Sequence, residues 1–272
     1  MRKLLQGTGL DFVPVAVLSA MAWGVLFVGI DLPDGLPVLC AARLLGTLPS
    51  GAELSYVLSW LSPAQLMTGW GVMVIAMMLP LTLGPLSHVR KRSLARDANR
   101  SALLFVAGYL VLWLLAGAGF VAAAILLRVA FPAVPSLFLG AGMATLLWQV
   151  SPAKQIALNS SHRHQPLSAF GRGPGAAFRF GATHGVWCLA SCGPIMLLAL
   201  VAPTHGILWM TLAAIYIWAE RCEPPRAPAL ELRLPGKAAR ALRYRLRALF
   251  SDRPVADHRP GVRFHSRDFE EE

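Results

Sequence analysis

Six apolar runs, most of them long enough to cross a bilayer, govern what this chain can fold into. A crossing of the hydrocarbon core takes about 20 apolar residues as a helix. The runs are Phe12 to Ile30, Gln65 to Leu86, Ser101 to Leu127, Ala133 to Val150, Ala176 to Val201 and Thr204 to Ala219, the fourth and sixth being short. None alternates polar and apolar residues, so strands of a membrane barrel are not expected. Of the 272 residues 56% are hydrophobic and 14% charged, against about 25% charged in an average soluble domain. Lipid, not water, is the solvent such a surface matches.

The basic residues set the orientation. Arg2 and Lys3 precede the first run; Arg90, Lys91, Arg92, Arg96 and Arg100 lie between the second and third; Lys154, Arg163, Arg172 and Arg179 lie around the link from fourth to fifth. The other links carry only Arg43 and Arg128. Because excess Lys and Arg mark the cytoplasmic side, the count predicts an all-α, polytopic transmembrane bundle of six spans in the bacterial inner membrane, with both termini cytoplasmic. The first run is read as a retained signal anchor: it is too long for a signal peptide, and Ala20-Met21-Ala22 is a weak cleavage site. Between the first two spans, Leu36 to Leu48 is apolar but too short to cross and is interrupted by Arg43, which suits an interfacial or re-entrant helix.

Residues 1–220 form the transmembrane domain in this reading, and 221–272 a cytoplasmic basic tail, partly disordered. The tail opens on Pro224-Pro225 and Pro228. From Gly236 to Phe250 it sets Ala239, Leu242, Leu246, Leu249 and Phe250 at helical spacing among Arg240, Arg243, Arg245 and Arg247, the pattern of a helix lying on anionic lipid headgroups. The net charge of +11 is assigned to this lipid contact; nucleic acid is not an expected partner.

The fifth span carries the chemistry. His184, Cys188 and Cys192 are spaced by four and line up on one helix face, and ionisable groups at membrane depth point by default to function. His184 and Cys192 stand about 12 Å apart along the axis, while metal–sulfur and metal–nitrogen bonds measure about 2.0–2.3 Å. One ion can be shared by His184 and Cys188 or by Cys188 and Cys192, not by all three. The competing reading is packing: Gly181, Gly185, Cys188 and Cys192 make a face of small residues. In the second span Met73 and Met77 share a face, Met78 follows, and thioethers suit Cu(I). Pro80 and Pro194 free the carbonyls of Ala76 and Ala190, so both helices are expected to bend near the sulfur groups. Glu220 closes the sixth span, either neutralising Arg179 or Arg221 or accepting an ion passed from His184. His162, His164, Cys222 and Glu223 are weaker candidates. Phosphate-binding glycine loops, a phosphorylation signature, a serine nucleophile elbow and a zinc-protease helix are all missing from the sequence. No catalytic residue is assigned, and a non-enzymatic role is favoured.

The stretch Trp70 to Pro80, with its Ala76-Met77-Met78 core, resembles a bacterial family of predicted metal-binding integral membrane proteins of unknown function. So do Gly108-Tyr109 with Trp113, Trp148-Gln149 with Pro152 and Lys154, and His184-Gly185 with Cys188 and Cys192. The resemblance covers roughly Ala64 to Glu220. Gly193 stands where relatives often pair a second cysteine, and the Pro- and Arg-rich tail stands where they often add an apolar segment. The resemblance implies metal handling, with copper(I) expected, as a permease or as a delivery factor to a metalloenzyme or metallochaperone. In that reading Cys188 and Cys192 are soft ligands, His184 a cytoplasmic-side ligand, Met73, Met77 and Met78 the opposing face, and Glu220 an inner-end ligand. Zinc(II) is the competing cargo. Two other readings stay open. One is a thiol–disulfide enzyme with a quinone partner, since Cα atoms one turn apart lie about 6 Å from each other, within disulfide range. The other is a scaffold subunit of a membrane complex.

Overall fold

The structure is a computed structural model that describes residues 9–28, 63–131, 134–162, 175–202, 206–232, 235–237, 240, 243 and 244. It divides into two units, Met1–Pro235 and Gly236–Glu272. The first is helical throughout its described residues: α1 (Gly9–Val28), α2 (Pro63–Met78), α3 (Leu83–Arg92), α4 (Ala98–Ala130), α5 (Val134–Val150), α6 (Pro152–His162), α7 (Gly175–Val201) and α8 (Gly206–Arg221). Short 3-10 turns at Leu79–Thr82 and Ala95–Asp97 separate α2, α3 and α4. In the second unit, the described residues 236, 237, 240, 243 and 244 have helical backbone. The expected re-entrant segment Leu36 to Leu48, Cys40, His164 and most of the amphipathic tail helix lie outside the described residues.

Three stretches, Leu66–Arg92, Ala95–Leu127 and Gly175–Val201, are long and apolar enough to cross a membrane, and Phe12–Val28 and Pro135–Val150 are shorter apolar helices. Large apolar side chains stand on the outside, among them Met21, Leu103, Leu115, Leu126, Leu139 and Leu147. An aqueous surface rarely carries so broad an apolar exterior.

Prolines shape the two helices that carry sulfur. At Pro80 the α-helix tightens into the 3-10 turn before resuming as α3. The freed Ala76 carbonyl accepts a hydrogen bond from Ser19 Oγ of α1 at 2.7 Å. The helix of the second span is thus interrupted at Pro80. In the fifth, α7 stays helical through Pro194, because neighbours satisfy what the proline releases. Trp148 Nε1 donates to the Ala190 carbonyl at 3.1 Å, and Thr145 Oγ1 to the Pro194 carbonyl at 3.2 Å. Interhelical donors of this kind make proline tolerable inside an apolar helix.

The central helix pair is α4 with α7, and glycine permits its closeness. A Cβ on Gly181 would lie 2.0 Å from the Phe105 carbonyl oxygen, and one on Gly108 would lie 2.2 Å from that of Phe178. Close backbone approach at small residues is the packing mode of helices in lipid. Trp70 of α2 is seated over Gly117 and donates from Nε1 to the Trp113 carbonyl at 2.7 Å. The resulting core joins Trp70, Tyr109 and Trp113 to Met73, Met77, Met78, Cys188, Cys192, Met196 and Met210.

One element departs from the sequence reading. The segment between the fourth and fifth runs, expected as a basic link, contains α6, which buries Lys154, Gln155, Ala157, Leu158 and Ser161. Its buried face holds only two apolar side chains, Ala157 and Leu158, too few to register as an apolar run.

Candidate metal centre

Cys188 and Cys192 stand one turn apart on α7, and the helix geometry aims both side chains at α4 and the core behind it. Both are free thiols and both are buried. Their Sγ atoms are 4.0 Å apart, about twice a disulfide bond length. The Cys192 thiol donates to the Cys188 carbonyl at 2.8 Å, and Ser191 Oγ donates to the same carbonyl at 2.9 Å. An ion held about 2.3 Å from each sulfur at this separation would subtend about 120° between them. That is a trigonal arrangement with one corner open.

Tyr109 of α4 ties the two sulfur-bearing helices together. Its hydroxyl is 3.2 Å from Cys188 Sγ and 3.4 Å from the Met78 carbonyl oxygen. Met78 and Cys188 therefore sit at one level, as their positions along the two spans suggest. Met73, Met77 and Met78 belong to the same buried core as the cysteines. Tyr109 of α4 bridges the two helices.

His184, one turn before Cys188, is buried in an aromatic setting. Its ring centroid lies 5.9 Å from that of Tyr109, 6.1 Å from Phe105 and 6.2 Å from Phe180. Among the described residues, no three His, Cys, Asp or Glu side chains converge on a point where one ion could sit. This agrees with the axial spacing, which denies a common ion to His184, Cys188 and Cys192. Among the described residues, the donors left for a third ligand to a cysteine-bound ion are thioethers, hydroxyls and carbonyls.

The polar residues gather where α6 and the C-terminal end of α8 meet α7. Glu220 pairs with Lys154, a partner absent from the sequence reading, which had offered Arg179 or Arg221. Only α6, folding back under α8, brings the lysine there. Lys154 also donates to Gln149 Oε1 and lies 5.6 Å from the Tyr216 ring centroid. Burial pushes the Lys154 ammonium below the ordinary lysine range, and the Glu220 carboxylate opposes that shift. Arg221 turns the other way. It donates to Ser161 Oγ and, at 3.4 Å, to Ser191 Oγ, and it is within electrostatic reach of Cys188, Cys192 and Tyr109. The His162 ring nitrogens are engaged by the Leu158 carbonyl at 2.8 Å and the Arg221 carbonyl at 3.1 Å. Cys222 is exposed, and Glu223 lies 3.9 Å from Arg226.

Four residues at this centre were not singled out as candidates from sequence. Met196 continues the spacing of four beyond Cys192 and is buried in the same core, so the row His184, Cys188, Cys192, Met196 was there to be read. Tyr109 was marked only by the family resemblance and Arg221 only as a partner for Glu220, and Ser191 carried no signal, since the place of each at the thiols is set by what another helix puts beside it.

No curated protein and no solved structure matches the chain. A family model described as the copper chaperone PpoB2 matches residues 67–237. That stretch is more than half of the chain and holds the buried cysteines, the methionines of α2 and the Lys154–Glu220 pair, and by it the chain belongs to this copper chaperone family.

Proposed function

We propose that this protein is an inner-membrane copper(I) chaperone that binds the ion on Cys188 and Cys192 and passes it to a metalloenzyme or metallochaperone. One observation carries the reading: two free thiols, 4.0 Å apart, share a buried core with the thioethers of Met73, Met77, Met78 and Met196. Soft thiolate and thioether donors select Cu(I), and Glu220, the carboxylate in electrostatic reach of Cys192, is paired with Lys154. Delivery is favoured over permeation by the family's description as a copper chaperone.

In this proposal the chain crosses the membrane six times with both termini cytoplasmic, and the basic tail rests on anionic headgroups. Cys188 and Cys192 bind first, and a thioether of the α2 methionines or of Met196 fills the third corner. His184 is the next donor along α7 toward its N-terminal end, available when the ion is handed on. Glu220, held by Lys154, serves as a charge partner at the end of α8 and not as a ligand. Binding is balanced by proton release: two S–H bonds give up their protons to solvent as two metal–sulfur bonds form.

The test is metal analysis of the full chain, purified in detergent and loaded anaerobically with Cu(I). Wild type is expected to keep about one ion per chain, and Cys188→Ser and Cys192→Ser each to keep little, because a hydroxyl is a poor ligand for a soft ion. Retention that both variants share with wild type would reject the reading. Met196→Leu keeps the volume and removes the sulfur. It is expected to weaken Cu(I) binding about tenfold without lowering thermal stability, as suits a volume-conserving exchange; a chelator titration reads the affinity.

A further inference from the structure

We infer that Arg221 is the charge-selecting residue of the thiol centre, making it a site for a monovalent soft ion and disfavouring a divalent one. The inference deepens the copper reading and rests on it.

The balance of charges where α6, α7 and α8 meet sets this preference. Lys154 and Glu220, both in electrostatic reach of Cys192, pair with each other and together add no net charge there. Among the described residues, no carboxylate forms an ion pair with Arg221. Its guanidinium donates to two buried neutral hydroxyls, Ser161 and Ser191, and also lies beside the Cys188 thiol. The groups in its electrostatic reach that can become anionic on metal binding are the thiols of Cys188 and Cys192. Ser191 connects the two sides, accepting from Arg221 and donating to the Cys188 carbonyl at 2.9 Å. A cation so placed is stabilised by an anion and is costly beside a neutral or cationic centre.

Two thiolates bound to a monovalent ion carry one net negative charge, and Arg221 brings the assembly to neutrality. Two thiolates bound to a divalent ion are already neutral, and Arg221 then leaves one uncompensated positive charge in a low-dielectric setting. Thiolate sulfur by itself accepts either soft Cu(I) or Zn(II). The sulfur ligands supply affinity, and the guanidinium supplies the choice of charge.

Ag(I) and Cd(II) are the probes, because both are soft, closed-shell and redox-inert and they differ in charge. Each is titrated into the full-length, detergent-purified protein against a competing chelator, for wild type, Arg221→Gln, Arg221→Lys and Cys188→Ser. Arg221→Gln is expected to lose about tenfold or more in Ag(I) affinity while Cd(II) affinity holds or rises, and Arg221→Lys to keep most of the wild-type preference. Equal losses for the two metals in Arg221→Gln, or no change for either, would overturn the inference and leave the copper reading standing. If Arg221→Gln does not fold, Arg221→Lys decides: a retained preference supports the inference and a lost one overturns it. A wild type that binds no Ag(I), or a Cys188→Ser that binds it unchanged, would instead reject the copper reading and the inference with it.

Discussion

Lys154→Met is expected to destabilise the protein by about 3–5 kcal/mol, the largest loss foreseen for any single charged side chain. Lys154 and Glu220 are both nearly inaccessible, with side-chain exposures of 5% and 9%. Removing the ammonium leaves the Glu220 carboxylate buried, and the Gln149 carbonyl loses its donor as well. A lone buried charge costs more than the pair contributes, so the deficit should come largely from the orphaned partner. The double variant Lys154→Met with Glu220→Gln is therefore expected to recover most of the loss. Detergent-based unfolding of wild type, both single variants and the double variant reads the coupling. Single-variant losses that simply add in the double would show that the two side chains do not act as a pair.

Gly181→Ala is expected to cost at least about 3 kcal/mol, at or beyond the upper end of ordinary overpacking. The added carbon would sit 2.0 Å from the Phe105 carbonyl oxygen. Backbone faces backbone there, so no side chain can swing aside and the helices α4 and α7 must part. The site should suffer with the fold, since Tyr109 of α4 reaches Cys188 of α7 across the same interface. Gly119→Ala on α4 is the control. A carbon at that position meets nothing within 4 Å, and the exchange should be neutral or stabilising by up to about 1 kcal/mol from helix propensity. Thermal unfolding of the two variants side by side checks the contrast; similar stabilities would mean that α4 and α7 are not locked at this crossing.

Much of this architecture was legible because long apolar runs without polar–apolar alternation favour helices. The apolar runs that begin at Gln65, Ser101, Ala133 and Ala176 all fold as helices at nearly the expected places, and the proline-freed carbonyls of Ala76 and Ala190 could be named in advance. The spacing of four through His184, Cys188 and Cys192 likewise announced a shared face. The partners of these groups were hidden. Ser19 on Ala76, Trp148 on Ala190 and Tyr109 on Cys188 are contacts over 42 to 79 residues of chain, and no local pattern encodes them. The choice of Lys154 for Glu220 was hidden for the same reason, and also because α6 buries too few apolar residues to show as a run.

What the sequence by itself determined is the helical character of the apolar runs and the row of soft donors along one helix, because backbone hydrogen bonding within a helix and the helical repeat both act over a few residues. What only the tertiary structure decided is the environment of that row: thiols turned inward against Tyr109, thioethers of another helix in the same core, and Arg221 left facing sulfur while Lys154 takes Glu220. Those pairings depend on which helices come together and how closely glycine lets them approach, and that is settled by packing across the whole bundle.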